Sequence, residues 1–280
     1  MNLKPQVDKQ HIRLTYVTHY YLNQKSPDAI VELLRKYEGY PADLLDVIQF
    51  VVVDDGSPLV FEIPDFNLNL TWLRIKEDIP WNQAGARNLG ATYAKSDKIL
   101  LTDLDHEFPE HTLRWIVDMP NPGRCIYKPP RFDSKTWKSR GYHSNIFIMS
   151  RARYMRLYGY DEEFAGGYGA EDYRFVRFQK YHGSWMRALP KKHYCLNRTE
   201  MDREVSYHSL VRDLTRNTPI DLRKKNELLD FGPEAGHSRM FLNFSWDIVR
   251  NTHRPAPTNR PVKRWWKHLW LFRTLFGSYV

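Results

Sequence analysis

The amino-acid sequence predicts an α/β fold with a mostly parallel sheet flanked by helices. Short apolar runs alternate with helical patterns from Leu14 onward, and residues 47–53 are so continuously β-branched that both faces of that strand should be buried. Strands that alternate with helices favour a parallel sheet with right-handed crossovers. A chain of 280 residues with 42% hydrophobic content can form one domain of this kind with an appended tail.

Individual elements can be placed by hydrophobic periodicity and by helix start signals. Strands are predicted at residues 14–17, 47–53, 70–75, 99–102 and 146–149. Helices are predicted at residues 26–37, 82–95, 109–117, 171–181 and 218–229. The first helix has a clear start, because Ser26-Pro27-Asp28 combines an N-cap residue, a proline in the first turn and an acid that suits the helix dipole.

The chain is predicted to consist of an α/β domain at residues 10–215 and a C-terminal helical extension at residues 216–280. Within the extension, the proline-rich residues 254–261 are typical of a linker, and residues 263–276 are basic and rich in tryptophan. One helical face of that tail carries four large apolar side chains: Trp265, Leu269, Phe272 and Phe276. Such a face is typical of a helix in a membrane interface, and equally of a helix that docks on its own domain.

Charge and cysteine content limit the classes of binding partner and the cellular compartment that we expect. The 42 Lys and Arg residues against 33 Asp and Glu give a net charge of +9, which favours phosphates, acidic lipids or nucleic acid. Cys125 and Cys195 are far apart and lack zinc-site spacing, so neither a disulfide scaffold nor a zinc site is indicated. The polar start and the lack of a long apolar run lead us to expect a cytoplasmic protein. It would lie at the inner membrane surface if the tail binds membrane instead of DNA or its own domain.

Two carboxylates follow the predicted strand at 99–102, in the motif Asp103-Leu104-Asp105. Ligands collect at the carboxyl ends of parallel strands, and hard divalent cations prefer oxygen atoms. The motif therefore predicts a site where Mn²⁺ or Mg²⁺ meets a phosphate. An isolated Asp-x-Asp is also typical of a capped turn, so its neighbours decide the interpretation.

Two further segments fit a nucleotide site. Asp54-Asp55 ends the strand at 47–53, where carboxylates can accept hydrogen bonds from a nucleobase or from ribose hydroxyls, although a simple Asp-Gly turn is the alternative. Residues 82–90 open a helix with small residues and Arg87, which can bind an anion or form an internal ion pair. The sequence contains neither a P-loop nor a Gly-x-Gly-x-x-Gly fingerprint.

These three segments together resemble the family 2 glycosyltransferases of the GT-A fold, which show Val-Asp-Asp-Gly-Ser, Asn-x-Gly-x-x-x-Arg-Asn-x-Gly-like text and Asp-x-Asp in this order. A fourth segment, residues 159–172 with its Gly-Gly-Tyr-Gly-Ala-Glu-Asp ending, is similar to the Gly-Trp-Gly-Gly-Glu-Asp region of the β-1,4-galactosyltransferases. The resemblance covers about residues 12–210. It implies a Rossmann-like nucleotide-binding domain.

The resemblance also implies an activity: inverting, metal-dependent transfer of a sugar from a nucleotide sugar, with UDP expected, to a hydroxyl of a glycan or lipid-linked glycan. An acceptor hydroxyl is a weak nucleophile, so the transfer needs a base and neutralisation of the departing diphosphate. By the resemblance, Asp172 would be the general base and Glu171 would orient a sugar. Acids at a helix N-terminus are also simply favourable for the helix.

The same resemblance assigns the remaining site residues. The residues expected to bind the donor are Thr18, His19, Asp54, Asp55, Asn82, Arg87, Asp103 and Leu104. Mn²⁺ or Mg²⁺ would be held by Asp103 and Asp105, with His208 as a further ligand and His193 as its alternative. The family's Pro-x-x-Asn after the first strand is replaced here by Thr18-His19-Tyr20-Tyr21-Leu22-Asn23. Because of this departure, Asp55 and Arg87 are the safer donor contacts, and base stacking on His19 or Tyr20 is a further expectation. The acceptor side is predicted from residue type and not from the resemblance, because sugars and bases stack on aromatic faces: the candidates are Trp137, Tyr142, His143 and Tyr168, with core or rim positions as the alternative.

Two alternatives remain open from the sequence. Basic residues flank the expected acceptor loop and would suit a phage-type DNA glycosyltransferase acting on a hydroxymethylated base: Lys128, Arg131, Lys135, Lys138 and Arg140. From a different class, the chain could be a nucleotidyltransferase or a non-catalytic nucleotide-sugar binder. A nucleotidyltransferase would not need the Asp172 base.

Overall fold

The protein is described here by a computed structural model, which places residues 11–257. The strands are β1 (Leu14–Tyr20), β2 (Ile48–Asp54), β3 (Asn69–Ile75), β4 (Lys98–Asp103), β5 (His106–Glu107), β6 (Cys125–Lys128), β7 (Pro130–Asp133), β8 (Ser139–Tyr142), β9 (Phe147–Ser150), β10 (Trp185–Ala188), β11 (Cys195–Asn197) and β12 (Trp246–Asn251). The helices are α1 (Asp28–Glu38), α2 (Ala42–Leu45), α3 (Gln83–Thr92), α4 (Glu110–Asp118), α5 (Arg151–Arg156), α6 (Glu171–Tyr181), α7 (Arg203–Ser206) and α8 (Asn217–Phe231). The tail at 263–276, predicted to be either an interfacial helix or a helix that docks on its own domain, lies outside the described residues.

The central sheet has eight strands in the order β10-β6-β9-β4-β1-β2-β3-β12. Its middle strands β4, β1, β2 and β3 are all parallel to their neighbours in that group. Nearly every residue of these four strands is buried, because helices cover both faces of the sheet. This arrangement confirms the predicted α/β fold. Among the helices that the structure describes, none has both the length and the apolarity needed to cross a bilayer.

The sheet separates two hydrophobic cores. On β1, Tyr16 faces the core that α1 and α4 cover, and the next residue, Val17, faces the core that α3, α5 and α6 cover. Helix α3 approaches β1 so closely that a Cβ atom at Gly90 would lie 2.3 Å from Cγ1 of Val17. A side chain at that position would push the helix away from the sheet. Glycine therefore sets the height of α3 above the sheet and, with it, the position of its N-terminus.

The structure adds three features that periodicity did not predict. Strand β9 is antiparallel to both β4 and β6. Strands β5, β11, β7 and β8 form a second, smaller sheet. Strand β12 lies in the predicted helical extension but pairs antiparallel with β3 at the edge of the central sheet, with a register shift between Ile248 and Arg250. The predicted extension therefore includes a strand as well as helix α8, because this long-range pairing and its bulge leave no periodic signal in so short a segment.

Helix α8 is fixed to the segment before α6 by charges. Nζ of Lys224 lies 2.7 Å from Oδ2 of Asp161 and 2.6 Å from Oε2 of Glu163. The Lys224 side chain is only 1% exposed. A lysine this deeply buried requires such partners, because an unpaired and desolvated ammonium group would strongly destabilise the folded state. The ion pairs therefore fix the place where α8 meets the chain that leads into α6.

We predict that Lys224→Ala lowers the free energy of unfolding by about 3 kcal/mol, since it leaves the buried Asp161 carboxylate without its lysine counter-ion. Urea denaturation at neutral pH would measure the loss. The control is Lys225→Ala, one residue further along α8 and exposed, for which a change within about 0.5 kcal/mol is expected. Equal losses in the two variants would show that the buried ion pairs do not carry this stability.

Candidate active site

A single cleft lies at the carboxyl ends of β1, β2 and β4, with an empty volume of about 1080 Å³. Ten of the sequence-predicted residues line it: His19, Asp55, Asp103, Leu104, Asp105, His143, Tyr168, Glu171, Asp172 and His208. The cleft is also lined by Tyr20, the predicted alternative to His19 for base stacking, and by residues that were not predicted as site residues: Tyr21, Trp81, Gln83, Ser144, Asn145, Tyr207, Leu210 and Arg212. The topology thus brings together motifs that lie far apart in the sequence.

The Asp103-Leu104-Asp105 motif lies at the turn between β4 and β5, and each of its carboxylates contacts an arginine. Oδ1 of Asp103 accepts a hydrogen bond from Arg87, and Oδ2 lies 3.6 Å from Nδ1 of His143. Oδ2 of Asp105 accepts a hydrogen bond of 2.7 Å from Arg203, and Oδ1 lies 2.7 Å from Nδ1 of His106. Burial opposes ionisation of Asp105, but the His106 ring and the Arg203 guanidinium hold its pKa below the ordinary value.

Arg87 differs from its predicted position. Its side chain is 1% exposed and lies behind Asp103, where it also donates a hydrogen bond of 2.7 Å to the Tyr160 hydroxyl. The guanidinium is therefore not among the groups that line the cleft, because its donors are directed to Asp103 and Tyr160 within the protein. The structure corrects Arg87 from a direct donor contact to a buried residue that fixes Asp103.

The residues around Asp105 fit a divalent cation. Asp103, Asp105 and His106 each offer one ligand atom, and these atoms lie within 4.8 Å of one another. Two carboxylates with an imidazole form a donor set that suits Mn²⁺ and is rich enough in oxygen for Mg²⁺. Of these three residues, His106 was not predicted, because nothing in the sequence distinguishes it from the chain's other histidines.

The two histidines predicted as metal ligands have different positions. His208 lines the cleft, and its Nδ1 atom is buried without a hydrogen-bond partner. Its ring packs edge-on against Trp81, with 4.9 Å between the ring centres. His193 does not line the cleft and instead stacks on Trp115, with ring centres 4.6 Å apart. His208 therefore stays a candidate ligand, and His193 does not.

Asp55 marks one end of the cleft. Its side chain accepts a hydrogen bond of 3.0 Å from Nδ2 of Asn82, and Oδ1 of Asn82 in turn caps α3 by accepting from the N–H of Gly85. Burial raises the pKa of Asp55 well above its ordinary value. The turn is tight, since a Cβ atom at Gly56, whose φ is +72°, would lie 2.3 Å from the Glu77 carbonyl oxygen. Asn82 positions Asp55 through their hydrogen bond and does not itself line the cleft.

Two other predicted donor residues also lie outside the cleft lining. Asp54 accepts a hydrogen bond of 2.8 Å from the N–H of Ser57 and lies 3.8 Å from Arg74, so it stabilises the turn. Thr18 is buried in β1, and its hydroxyl has no hydrogen-bond partner in the described part of the chain. His19, the next residue, does line the cleft. Burial, followed by the charge of Arg87, lowers the pKa of His19 to about 4, so its imidazole is neutral at pH 7.

Glu171 and Asp172 begin helix α6 at the cleft. The chain reaches them through left-handed residues, with φ of +91° at Gly166, +90° at Gly169 and +79° at Ala170. Oδ1 of Asp172 accepts hydrogen bonds of 2.9 Å from Gln83 and 3.4 Å from the Tyr160 hydroxyl. Partial burial and the neighbouring Glu171 raise the pKa of Asp172 to about 8. The pair thus offers a hydrogen-bonded carboxyl group whose proton is exchangeable near neutral pH.

Two asparagines that were not predicted hold the chain before α6. Asn88 of α3 donates to the Tyr160 carbonyl oxygen at 2.9 Å and to Glu162 at 2.7 Å. Asn217 of α8 donates from Nδ2 to three carbonyl oxygens of the loop, at Phe164, Gly167 and Gly169. Asn88 lies within the Arg-Asn-x-Gly text of the second motif, which could have indicated it. Asn217 has no comparable signal, because its partners are about fifty positions away.

The predicted acceptor residues divide into two groups. His143 and Tyr168 line the cleft, and the Tyr168 ring lies 4.7 Å from that of Trp81. Trp137 and Tyr142 belong to the β7–β8 hairpin instead, where they are 57% and 49% exposed. Strand β8 leads directly into the cleft-lining residues 143–145. The hairpin therefore presents exposed aromatic rings beside the cleft rather than inside it.

Comparison with known proteins gives a family and a fold. The profile described as Glycosyl transferase family 2 matches residues 27–171 of the chain. Residues 1–349 of TarS from S. aureus, solved in complex with UDP-GlcNAc, are similar in structure, with a TM-score of 0.53, 16% identity and coverage of 78% of this chain and 67% of that one. The mannosyltransferase PcManGT from Pyrobaculum calidifontis, solved with GDP-Man and Mn²⁺, gives a TM-score of 0.46, 22% identity and coverage of 68% and 58%. The chain thus spans roughly three fifths to two thirds of these proteins. No curated protein matches its sequence.

We predict that Asp172→Asn stabilises the metal-free protein, and increasingly so as the pH rises. The folded state holds the Asp172 proton up to about pH 8, whereas the unfolded chain releases it near pH 4. The stability that the protonated Asp172 contributes to the wild type is therefore fully present below the pKa of the unfolded chain. It is lost as the pH rises through the pKa of the folded state. The stability difference between Asp172→Asn and wild type, measured by denaturation in EDTA at pH 5, 7 and 9, should grow with pH.

The matched control is Asp213→Asn, which removes a fully exposed carboxylate. Its stability relative to wild type should not become steadily more favourable from pH 5 to pH 9. A pH-independent difference for Asp172→Asn would contradict the raised pKa.

Proposed function

Because the chain belongs to glycosyl transferase family 2, we propose that it transfers a sugar from a nucleotide sugar to an acceptor hydroxyl, with a divalent metal and with inversion at the sugar carbon. The observation that carries this proposal is that the Asp103–Asp105 carboxylates and the Glu171–Asp172 pair line one cleft. One set suits a departing diphosphate and the other suits an incoming hydroxyl. The similarity of residues 159–172 to the β-1,4-galactosyltransferases remains a prediction that agrees with these roles.

The donor would lie along the carboxyl ends of β1, β2 and β4. Asp55 is available for hydrogen bonds from the base, and His19 lines the same cleft, whereas the Tyr20 ring packs in the core against Phe61 and Trp72. We propose a UDP sugar as the donor. The diphosphate would lie at Asp103 and Asp105, which would hold Mn²⁺ or Mg²⁺ with help from His106 or His208. When bound there, the cation supplies positive charge that stabilises the diphosphate as it leaves.

Asp172 would act as the general base. Its hydrogen bonds from Gln83 and Tyr160 fix the carboxyl group at the start of α6. In its deprotonated form, which becomes the major form above about pH 8, the carboxylate takes the proton of the acceptor hydroxyl. The acceptor oxygen forms a bond to the sugar carbon, while the bond from that carbon to the diphosphate oxygen breaks. Attack from the face opposite the leaving group inverts the configuration. Glu171, also at the cleft, would orient the sugar or the acceptor.

For the acceptor we propose a glycan or a lipid-linked glycan. The exposed rings of Trp137 and Tyr142 on the hairpin that leads into the cleft can stack on sugar rings. Basic residues lie on the same hairpin, with Lys135 and Lys138 exposed, so an anionic acceptor would be accommodated. Glycosylation of hydroxymethylated DNA in place of glycans would overturn this choice of acceptor while leaving the transfer reaction intact.

We predict that Asp172→Asn lowers kcat by about 10²- to 10⁴-fold while nucleotide and metal binding persist, because the amide keeps the shape of the side chain but cannot take a proton. Donor hydrolysis or transfer would be followed together with calorimetric binding of UDP and Mn²⁺. The control Asp213→Asn should stay within about twofold of wild type, as expected for an exposed surface change. Full activity of Asp172→Asn would remove this residue from catalysis.

The donor can be identified by thermal shift with a panel of nucleotides and nucleotide sugars, each with and without Mn²⁺. A ligand at 100 times its Kd stabilises the folded state by about 2.7 kcal/mol, which raises Tm clearly. We expect the largest metal-dependent shift with UDP compounds. A chain that responds to none of the nucleotides would not be a nucleotide-sugar enzyme, and a larger response to GDP compounds would replace UDP.

A further inference from the structure

A cation of the protein already occupies the carboxylate that the proposed metal would need. Arg203 donates a hydrogen bond of 2.7 Å to Oδ2 of Asp105. The other oxygen of Asp105 faces His106 at 2.7 Å. Both oxygens of this carboxylate therefore have a neighbour in the protein before any ligand arrives.

The two arginines at the motif differ in their freedom to move. Arg87, which contacts Asp103, is 1% exposed and also bound by Tyr160, so it is fixed. Arg203, which contacts Asp105, is 46% exposed, and its other contact is the ring of Tyr207, 4.8 Å from the guanidinium carbon. Its guanidinium can leave Asp105 without the loss of any other hydrogen bond described for this side chain, and its exposure leaves it room to move.

Charge balance explains why such a residue matters. Two carboxylates, Asp103 and Asp105, face two guanidinium groups, so the motif is already neutral without a metal. A divalent cation between the carboxylates would lie beside the Arg203 guanidinium and repel it. Arg203 and the cation therefore compete for Oδ2 of Asp105.

The destination of a displaced Arg203 follows from the same geometry. A diphosphate held at Asp103 and Asp105 would present several anionic oxygens within the reach of a residue that began on Asp105. A guanidinium is suited to bind such oxygens in pairs, since its donors form a planar fork. Tyr207, which lines the cleft, provides a ring face along which the guanidinium can move.

We propose that Arg203 is an exchangeable counter-ion: it neutralises Asp105 in the empty cleft, is displaced by the divalent cation, and then binds the diphosphate of the donor. This inference rests on the proposed function, since it assigns Arg203 to the same donor site. Metal binding and diphosphate binding then strengthen each other. The cation frees Arg203 to bind the diphosphate, and the diphosphate draws Arg203 away from the carboxylate that the cation needs.

The test is Arg203→Gln with two separate binding measurements. Mn²⁺ affinity without nucleotide, measured by EPR of free Mn²⁺, should increase on the order of tenfold, because the competing charge is gone. UDP affinity at saturating Mn²⁺, measured by calorimetry, should decrease by about tenfold, because one charge-assisted contact is lost. Opposite changes in the two affinities are the signature of an exchangeable counter-ion.

The matched control is Arg212→Gln, which removes the same charge from the same cleft. Arg212 lies over the Tyr168 ring, 5.5 Å from its centre, and no ion pair with Asp103 or Asp105 is described for it. Its removal should leave Mn²⁺ affinity without nucleotide within about twofold of wild type. An equal increase in Mn²⁺ affinity in both variants, or no increase in Arg203→Gln, overturns the proposal. An unchanged UDP affinity of Arg203→Gln also overturns it.

Arg203→Lys keeps the charge without the planar fork and guards against misfolding of the glutamine variant. It should keep the weak Mn²⁺ binding of wild type but lose part of the UDP affinity. Wild-type Mn²⁺ affinity combined with wild-type UDP affinity in this variant would contradict binding by the guanidinium fork. A wild-type protein that binds neither Mn²⁺ nor any nucleoside diphosphate would instead overturn the proposed function itself.

Discussion

The site depends on a buried arginine. The Arg87 side chain projects from α3 into the interior and is 1% exposed, where an unpaired charge would be very costly, so it requires a counter-ion within the protein. Its two terminal nitrogens donate hydrogen bonds to Asp103 at the end of β4 and to the Tyr160 hydroxyl, which also contacts Asp172. One side chain thereby links the motif proposed for the diphosphate to the carboxyl group proposed as the base. The relative position of these two groups is fixed by the interior of the protein, before any ligand binds.

The placement of the central fold could be predicted because its signals are local. A continuous run of β-branched and apolar residues predicted β2, which is fully buried in the structure. A helical pattern with small residues predicted α3, whose Gly90 packs on Val17. The same holds for the carboxylates at strand ends, since a parallel sheet gathers those ends at one edge. Arg87 shows the limit of that reasoning. A charged residue within a motif indicates importance, but the sequence does not show whether its side chain points into the cleft or away from it.

The remainder of the site could not be predicted because it depends on long-range contacts. Asn217 holds three carbonyl oxygens of the loop before α6 from about fifty residues away, and Arg203 reaches Asp105 across nearly a hundred. Neither contact has a period or a spacing that a pattern can report. Glu171 and Asp172 are meanwhile held with raised pKa values, an unfavourable state that surrounding structure must stabilise. The buried ion pairs of Lys224 lie in that surrounding structure.

Strand β12 has a consequence for how the molecule behaves towards its own copies. Without it, β3 would be the outermost strand of a parallel sheet, and its outer N–H and C=O groups would be unpaired. A seven-residue strand such as β3 with free backbone groups is a template for pairing with other chains. The hydrogen bonds between β12 and β3 satisfy those groups, and the register shift at Ile248 and Arg250 makes the new edge irregular. A segment remote from the cleft thus protects the central sheet against aggregation.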